Sequence, residues 1–516
     1  MKPIREQVAD AISANQLSRA LDLSAQWHTK EPRSEEAAYW FSWLLLRHGQ
    51  SENALKVLLK PELSGSNHPA VLSQLAHAYL SNGLSPEALN TANKIDLNVI
   101  NQPQLLNTLG NVYHSLGEHE LALKVYTKIS KVAPANIHAQ FQLAMALNHC
   151  HKTDESELVL NQIINKNPGY FRAYYHLAHL RRCTDESNHI NQLTGALNSN
   201  QNNSDAIIFL CFALFKEHHD LGQYEQAFSY LTKGNDQIAR HVNYDENAAL
   251  ECYEKVTELF GKTASSNHSE QKNKEAIFVL GMPRSGTTLL EQILSMNSDV
   301  TSMGELNNFQ QLFLQQAGVS HNKTEINDAL DSFLSDPTKL NYDKLGLDYI
   351  ASTRPKSGKT PFFIDKKPYN FQLIGFIQRA LPESKIVLVL RNAKDVCFSN
   401  YKQLFDAGKF PASYQLKTIV KEYQLFKKFV GYWQQELPTQ LYVIEYENLV
   451  TDFENELKKL ISFLNLDWTD KYLQFYKKPT ATSTASVAQI REPLHGKSVQ
   501  QWQHYSNAIG TVFDEL

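Results

Sequence analysis

A glycine-bounded loop in the second half of the chain has the residue types and spacing of an anion-binding site. The run GMPRSGTT extends from Gly281 to Thr288, after the apolar segment AIFVL and before the helical pattern LLEQILSM. Strand, loop and helix in this order let backbone N–H groups and the positive end of the new helix converge on a phosphate-like group. Thr287 stands where an ATP or GTP loop carries lysine. The sequence therefore predicts an anion site that differs from the site of a kinase or NTPase.

The loop resembles the 5′-phosphosulfate loop of the sulfotransferase family. Residues 283–288 read PRSGTT, and they lie between a predicted strand and a predicted helix, as the family requires. The resemblance implies that 3′-phosphoadenosine 5′-phosphosulfate is the cofactor, that 3′-phosphoadenosine 5′-phosphate is its product and that no metal takes part. It also implies cofactor contacts from Pro283, Arg284, Ser285, Gly286, Thr287 and Thr288.

Arg391 and Ser399 resemble the clamp that the same family places on the 3′-phosphate. The apolar run IVLVL is typical of a buried parallel strand, Arg391 follows it directly, and Ser399 lies eight residues later. A guanidinium fork suits the dianionic phosphate that distinguishes this nucleotide from ATP. Tyr446, after the run LYVIE, matches a family tyrosine that contacts the cofactor, and core packing explains a tyrosine there nearly as well.

The end of the chain resembles the closing segment of tyrosylprotein sulfotransferases and of bacterial relatives that carry repeats. The segment TASVAQIREPLHGKSVQQWQHY places pattern residues at Ser486, Gln489, Arg491, Ser498 and Trp502. The resemblance implies that this segment folds over the nucleotide, with Gln489 and Arg491 among the cofactor contacts. It extends the likeness over residues 276–510.

Four residues resemble the family's catalytic groups. Glu305 lies twenty-one residues after Arg284, where tyrosylprotein sulfotransferases carry a catalytic glutamate, and a carboxylate can take the proton of an acceptor hydroxyl. Lys366 in DKKPYN matches the lysine that supports the sulfuryl group and the leaving oxygen, with Arg284 beside it. Ser486 would donate a hydrogen bond at the same centre. Asn307 departs from the pattern, because the animal enzymes have arginine there, and it leaves the geometry of the acceptor open.

The first half of the chain is periodic at 34 residues. Residues 103–136 resemble the tetratricopeptide family closely, with Gly110, Gly117 and Pro134 at positions that want small residues or proline. Steps of 34 residues from Gly110 reach Ser42, Ala76, Ala144 and Ala178. Each unit is a helical hairpin that buries its apolar face only by stacking on its neighbours. The period predicts helix pairs that start near residues 35, 69, 103, 137 and 171.

Stacked repeats of this family present a concave groove. The family pattern assigns to the groove Tyr39, Trp43, His77, Asn107, Asn111, His114, Asn148, Tyr175, His179 and Arg182. Their amide and imidazole groups suit the main chain of an extended peptide, and a solvated helix surface explains the same residues nearly as well. We expect a protein or peptide acceptor along this groove.

Composition limits the remaining possibilities. The 516 residues include 42% hydrophobic side chains, enough for at least two cores, and the net charge of −4 offers no general attraction to nucleic acid. Five widely spaced cysteines and the absence of HExxH favour reduced thiols and no metal site. No apolar stretch approaches the about 20 residues of a spanning helix. Because the first residues also lack a signal-peptide core, we expect a cytoplasmic protein without a membrane span.

The sequence predicts an α plus α/β multidomain protein. Residues 1–260 are expected to form a tetratricopeptide superhelix with capping helices, 261–275 a polar linker, and 276–516 an α/β P-loop-type sulfotransferase domain with a parallel central sheet. The expected activity is sulfuryl transfer to an acceptor hydroxyl, and Glu305 and the repeat groove favour a peptide tyrosine. A nucleotide-dependent kinase and a non-catalytic repeat scaffold with a relic domain remain alternatives. A glycan or small-molecule acceptor and a homodimer also stay open.

Overall fold

A computed structural model describes all residues except 1, 64, 83, 263–268, 320–325, 359, 406–409, 478–493 and 495–498. The chain forms two compact units, Met1–Asn167 and Pro168–Leu516. The second unit therefore contains helices from the predicted repeat segment together with the α/β residues, and the expected linker at 261–275 stays a prediction. None of the described helices is long and apolar enough to traverse a bilayer.

Helical hairpins with the predicted spacing build the first unit. The first helices of successive hairpins begin at Glu35, Pro69, Pro103 and Ile137, which confirms the 34-residue period. Proline at the first helical position lacks only an N–H that would have no helical partner there. The helices are α1 (Ile4–Ser13), α2 (Leu17–Lys30), α3 (Glu35–Arg47), α4 (Ser51–Leu58), α5 (Pro69–Ser81), α6 (Ser85–Ala92), α7 (Pro103–Ser115), α8 (His119–Val132), α9 (Ile137–His149) and α10 (Thr153–Lys166).

Small residues let the paired helices of a hairpin approach closely. A Cβ atom added to Gly110 in α7 would lie 2.8 Å from the ring of Tyr126 in α8. The Tyr126 hydroxyl donates a 2.8 Å hydrogen bond to Oδ1 of Asn111, which holds the ring in place. Ala76, which occupies the position of Gly110 in the preceding repeat, is fully buried. Between α7 and α8 the chain turns at Gly117 with φ of +79°, a conformation that favours glycine.

The described part of the second unit contains a parallel sheet of five strands. The strands are β1 (Ala276–Gly281), β2 (Val300–Ser302), β3 (Phe362–Asp365), β4 (Lys385–Leu390) and β5 (Leu441–Glu445), in the order β2-β3-β1-β4-β5. Every neighbouring pair is parallel. Five helices precede the sheet, at α11 (Phe171–His179), α12 (Ile190–Asn198), α13 (Ser204–Asp220), α14 (Tyr224–Ala239) and α15 (Glu246–Lys262).

Ten further α-helices are described between and after the strands. They are α16 (Thr287–Leu294), α17 (Asn308–Gln316), α18 (Ile326–Ser335), α19 (Tyr342–Ser357), α20 (Ile374–Ala380), α21 (Ala393–Tyr401), α22 (Leu416–Glu436), α23 (Tyr446–Thr451), α24 (Phe453–Leu464) and α25 (Ser506–Ile509). Alternate residues of β1 face two different cores. Phe278 packs with residues of α13–α15 and α17–α22, whereas Val279 packs with residues of α16 and α24. Both faces of the sheet are therefore covered, as a parallel sheet requires.

Helices α14 and α15 are part of the interior of the α/β unit. Asn235 in α14 donates a 2.9 Å hydrogen bond from Nδ2 to the carbonyl oxygen of Tyr401. The guanidinium of Arg379 lies 3.6 Å from the ring centroid of Phe260 in α15 and donates a 2.8 Å hydrogen bond to its carbonyl oxygen. These buried polar contacts fix the two helices against the layer that covers the sheet.

Replacing Gly110 with alanine should destabilise the first unit, because the added Cβ would overlap the Tyr126 ring. Overpacking of this kind costs about 1–3 kcal/mol, and the about 1 kcal/mol that alanine gains over glycine in a helix offsets only the lower end of that range. Amide hydrogen exchange in α7 and α8 measures the effect locally, and protection should fall there.

Gly195→Ala in α12 is the matched control, because a Cβ atom there meets no heavy atom within 4 Å. This control should preserve or increase protection in its own helix. Unchanged protection of α7 in the Gly110→Ala variant would contradict the close-contact explanation of the period.

Candidate active site

The carboxyl edge of the parallel sheet collects the candidate residues. Gly281 ends β1, Lys366 follows β3, Arg391 follows β4 and Tyr446 follows β5. Glu305 comes three residues after the end of β2. Because parallel strands all direct their carboxyl ends to one edge, the topology gathers side chains that are far apart in the chain. This edge is where open α/β sheets bind their ligands.

The glycine loop packs so closely against its neighbours that two of its positions exclude a side chain. A Cβ atom on Gly281, where φ is +151°, would lie 2.6 Å from the carbonyl oxygen of Val389. A Cβ atom on Gly286, where φ is +110°, would lie 2.6 Å from the Tyr446 ring. Arg284 has a left-handed φ of +68°, which is uncommon for a residue other than glycine. The surrounding strands therefore hold the loop backbone in one shape.

The remaining loop residues present backbone donors and one unused hydroxyl. Gly286 is the N-cap of α16, and the buried Thr287 and Thr288 begin that helix, so their N–H groups lie at its positive end. The carbonyl oxygen of Pro283 accepts a 2.8 Å hydrogen bond from Asn400. Ser285 is 1% exposed, and its Oγ has no hydrogen-bond partner among the described residues. A buried hydroxyl of this kind ordinarily has a partner, and a bound anion would supply one.

Two arginines contact each other or Ser399 at the loop, and Lys402, whose Nζ donates a 2.7 Å hydrogen bond to Gln501 Oε1, is influenced by the charge of both. Arg284 donates a 3.2 Å hydrogen bond from Nε to Ser399 Oγ, and Arg391 donates a 3.0 Å bond to the Arg284 carbonyl oxygen. The Arg391 guanidinium also lies 4.6 Å from the ring centroid of Tyr446. Burial and then the charge of Arg391 lower the pKa of Arg284 to about 10. Burial and then the two arginines lower the pKa of Lys402 to about 7.

A second group of charges surrounds Lys366, which directly follows β3. Lys366 is nearly fully buried, and its Nζ lies 2.5 Å from Oε1 of Glu305 and 4.0 Å from Oε2 of Glu291 in α16. Glu305 keeps 48% of its side chain exposed. The pair thus joins a buried cation to a carboxylate that solvent or a substrate can reach.

Glu305 also lines an open cleft of about 1090 Å³. Amide side chains dominate the polar part of its wall, at Asn243, Asn307, Gln310, Gln311, Asn327, Asn370 and Gln372. Lys367 brings a cation to this wall, because its Nζ donates 2.9 Å to Asn307 Oδ1 and 2.6 Å to Gln310 Oε1. The position where the animal enzymes carry arginine is therefore still in contact with a positive charge.

The family comparisons agree with this arrangement. A model described as the sulfotransferase family matches residues 276–470, which include the loop, Glu305, Lys366 and Arg391. Over residues 276–470 the chain is therefore similar to the sulfotransferase family. A tetratricopeptide-repeat model matches residues 103–136, the segment on which the period rests. Both resemblances read from the sequence are thereby confirmed.

Relatives that match parts of the chain include proteins named as protein-tyrosine sulfotransferases. An uncharacterized protein from Aquifex aeolicus is 28% identical over 388 residues, which are 74% of this chain and 50% of that protein. This chain thus matches about half the length of that relative. A putative protein-tyrosine sulfotransferase from Caenorhabditis briggsae is 27% identical over 236 residues, 44% of this chain and 81% of that protein. Protein-tyrosine sulfotransferase 1 from Danio rerio is 21% identical, covering 49% of this chain and 76% of that protein.

Solved structures resemble each part of the chain. The sulfotransferase domain of the Synechococcus PCC 7002 olefin synthase is 16% identical, with a TM-score of 0.33, and covers 46% of this chain and 90% of that chain. A tetratricopeptide repeat protein from Parabacteroides merdae is 18% identical, with a TM-score of 0.31, and covers 46% of this chain and 90% of that chain.

Sequence reasoning missed two charged residues of the α/β unit. Lys402 follows Ser399 by three residues, which places both on one face at the end of α21. Glu291 follows Thr287 by four residues in α16, and its Oε1 accepts hydrogen bonds from Ser302 Oγ at 2.6 Å and from the Gly304 N–H at 3.0 Å. Glu291 therefore positions the segment that leads to Glu305. Helical spacing from the recognised residues was the available signal for both.

Part of the expected sulfotransferase site lies outside the described residues. Ser486, Gln489, Arg491 and Ser498 all fall there, and their proposed roles stay predictions. Trp502 of the same closing segment is described, and Lys394 of α21 lies 4.8 Å from its ring centroid. Tyr175, expected in the repeat groove, belongs to the second unit, where burial raises the pKa of its phenol to about 12 against the opposing charge of Arg284.

Proposed function

We propose that the chain transfers a sulfuryl group from 3′-phosphoadenosine 5′-phosphosulfate to an acceptor hydroxyl, with a tyrosine in a protein or peptide as the favoured acceptor. The observation that supports this proposal most strongly is that Arg284 and Arg391 meet at a loop without a P-loop lysine, with Lys402 within Coulombic range of both. Like charges brought together with partial burial are costly unless an anion neutralises them. A nucleotide with phosphate groups at both its 3′ and 5′ positions supplies enough negative charge.

The loop residues fit such a nucleotide. The glycines at 281 and 286 leave the backbone open to close approach, and the buried Ser285 hydroxyl has capacity for one more hydrogen bond. The loop N–H groups, together with Thr287 and Thr288, would bind the 5′-phosphate of the nucleotide. Arg391 and Ser399 would hold the 3′-phosphate, where a bidentate guanidinium gives both charge and geometry. Lys402 would add a third positive charge to those of Arg284 and Arg391.

The acceptor hydroxyl would be activated by the ion pair of Glu305 and Lys366. When bound, the donor supplies an activated sulfuryl group. Glu305 is the one member of the pair with substantial exposure, so an acceptor in the cleft can reach its carboxylate. Its Oε1 would accept the proton of the hydroxyl, and Lys366 keeps a positive charge 2.5 Å from that oxygen. Sulfuryl transfer depends mainly on the alignment of donor and acceptor and on the placement of charge. The roles proposed for these residues do not require a metal ion.

The cleft supports a peptide as the acceptor. Its amide groups can donate to carbonyl oxygens and accept from N–H groups, which are the two groups that an extended main chain repeats. Asn370 Nδ2 and Asn327 Oδ1 are buried and have no hydrogen-bond partner among the described residues, and both residues line the cleft. A donor and an acceptor are the two kinds of group that the main chain of a peptide can satisfy. The tetratricopeptide repeats would help to hold the protein that carries the tyrosine.

Nucleotide binding tests the donor. The wild-type chain should bind 3′-phosphoadenosine 5′-phosphate more tightly than ATP with Mg²⁺ in isothermal titration calorimetry. Arg391→Met should weaken the 3′-phosphorylated nucleotide by about 10- to 100-fold, because charge-assisted hydrogen bonds are lost. Adenosine 5′-phosphate lacks the 3′ group, so its affinity should change little and serves as the internal control. Tighter binding of ATP with Mg²⁺ would favour a kinase and overturn the proposal.

Affinity for the same nucleotide should fall as the pH rises above 7, because Lys402 has a pKa of about 7 and loses its charge. The ligand's phosphates are already ionised above their pKa of about 6, so they cannot cause this loss. The slope should approach tenfold per pH unit at most. Lys402→Met should remove the dependence, whereas Lys417→Met, an exposed site on α22, should retain it. A flat profile in the wild-type chain would exclude Lys402 from the anion site.

Glu305→Gln should lower turnover by about 100- to 10,000-fold, because the amide cannot accept the proton. Transfer of labelled sulfate to a tyrosine-containing peptide measures turnover. Nucleotide affinity should stay within about threefold of wild type, since the ion pair lies beyond the loop. Glu258→Gln is the matched control at an exposed position of α15, where Glu258 forms a surface ion pair with Lys262. Full activity of Glu305→Gln would show that another group takes the proton.

A further inference from the structure

Three histidines from different helices meet in the first unit, far along the chain from any residue of the proposed reaction. His114 lies near the end of α7, His119 begins α8 and His149 ends α9. The ring centroids of His114 and His149 are 5.1 Å apart, and that of His119 lies 5.6 Å and 4.9 Å from them. All three side chains are half-buried. The three histidines therefore form a partly buried cluster at the junction of two consecutive repeats.

The repeat architecture explains how the three rings come together. Gly117 turns the chain sharply between α7 and α8, which brings His119 back beside His114. The period of 34 residues then stacks α9 against the hairpin, and His149 closes the group from the next repeat. No local sequence motif indicates the histidine cluster, because His149 lies thirty residues beyond His119. This separation explains why the sequence predicted no metal site.

The nitrogen atoms are close enough to share one ion. One ring nitrogen from each histidine lies within 4.8 Å of the other two. A tetrahedral zinc ion with bonds of about 2.0–2.1 Å would require movements of roughly 1 Å per ring, which side-chain rotation provides. His119 Nδ1 is buried without a hydrogen-bond partner among the described residues, a state that metal ligation would relieve. Glu118 and Glu120 flank His119 in the chain and add negative charge.

We propose that His114, His119 and His149 form a binding site for a divalent transition-metal ion, with Zn²⁺ as the physiologically common candidate. Imidazole ligands suit zinc, copper and nickel more than calcium or magnesium. Three protein ligands leave a fourth position for water or for a side chain of a bound partner. The ion would join the ends of α7 and α9 to the start of α8 and so stiffen the contact between two repeats. This site is separate from the sulfotransferase reaction and does not depend on it.

The test uses the full chain without a histidine tag and Zn²⁺ alone as the probe. Titration against a chromophoric chelator should show one tight equivalent for the wild-type chain. His119→Gln and His149→Gln should each weaken that equivalent by about 100-fold, because each removes a ligand. His138→Gln, an exposed histidine on the same helix as His149, should bind like wild type. Zinc should also raise the unfolding temperature of the wild-type chain and of His138→Gln only.

Circular dichroism of the variants separates loss of a ligand from loss of the fold. Helical content equal to wild type together with weakened zinc binding supports the site. The proposal is overturned if the wild-type chain binds no zinc in the titration, which would leave the cluster as stacked aromatic rings. It is also overturned if His119→Gln and His149→Gln bind as tightly as wild type, or if His138→Gln loses binding to the same extent.

Discussion

The parallel pairing of β1 with both β3 and β4 is the constraint on which the site depends. Because β1 is the central strand, its carboxyl end at Gly281 has a strand end on each side. One of them delivers Lys366 and the other delivers Arg391. Both faces of the sheet are buried, so its edge is the place where polar groups can meet a ligand. A change of register in either pairing would separate the glycine loop from its cations.

Charge then decides how the site behaves. Arg284, Arg391 and Lys402 raise one another's electrostatic free energy, and burial adds to that cost. The same charges favour binding of an anion, because a bound anion reduces the repulsion between the three cations and is attracted to each of them. Glu305 and Lys366 differ in kind, since they neutralise each other within the protein. The α/β unit thus separates a strongly positive region at the glycine loop from an ion pair beside the cleft.

The features that could be predicted from the sequence are those that depend on residues close together in the chain. The spacing of small residues placed the starts of α3, α5, α7 and α9, because helix packing within a hairpin repeats locally. The loop and Arg391 were visible because each directly follows a short apolar strand. Lys402 and Glu291 were not predicted, because they interact with residues that are distant in the sequence. The histidine cluster was invisible for the same reason, since it joins three helices.

The shared interior of α13–α15 and the α/β residues bears on how such a protein could arise. Phe212, Leu259 and Phe278 belong to one hydrophobic core, and Arg379 spans it to hold Phe260. A genetic exchange that joined a foreign repeat array directly to β1 would expose that core to water. Recombination between families of this architecture is therefore expected to preserve the chain from about Pro168 onward as a single inherited block, while the preceding hairpins are free to vary in number.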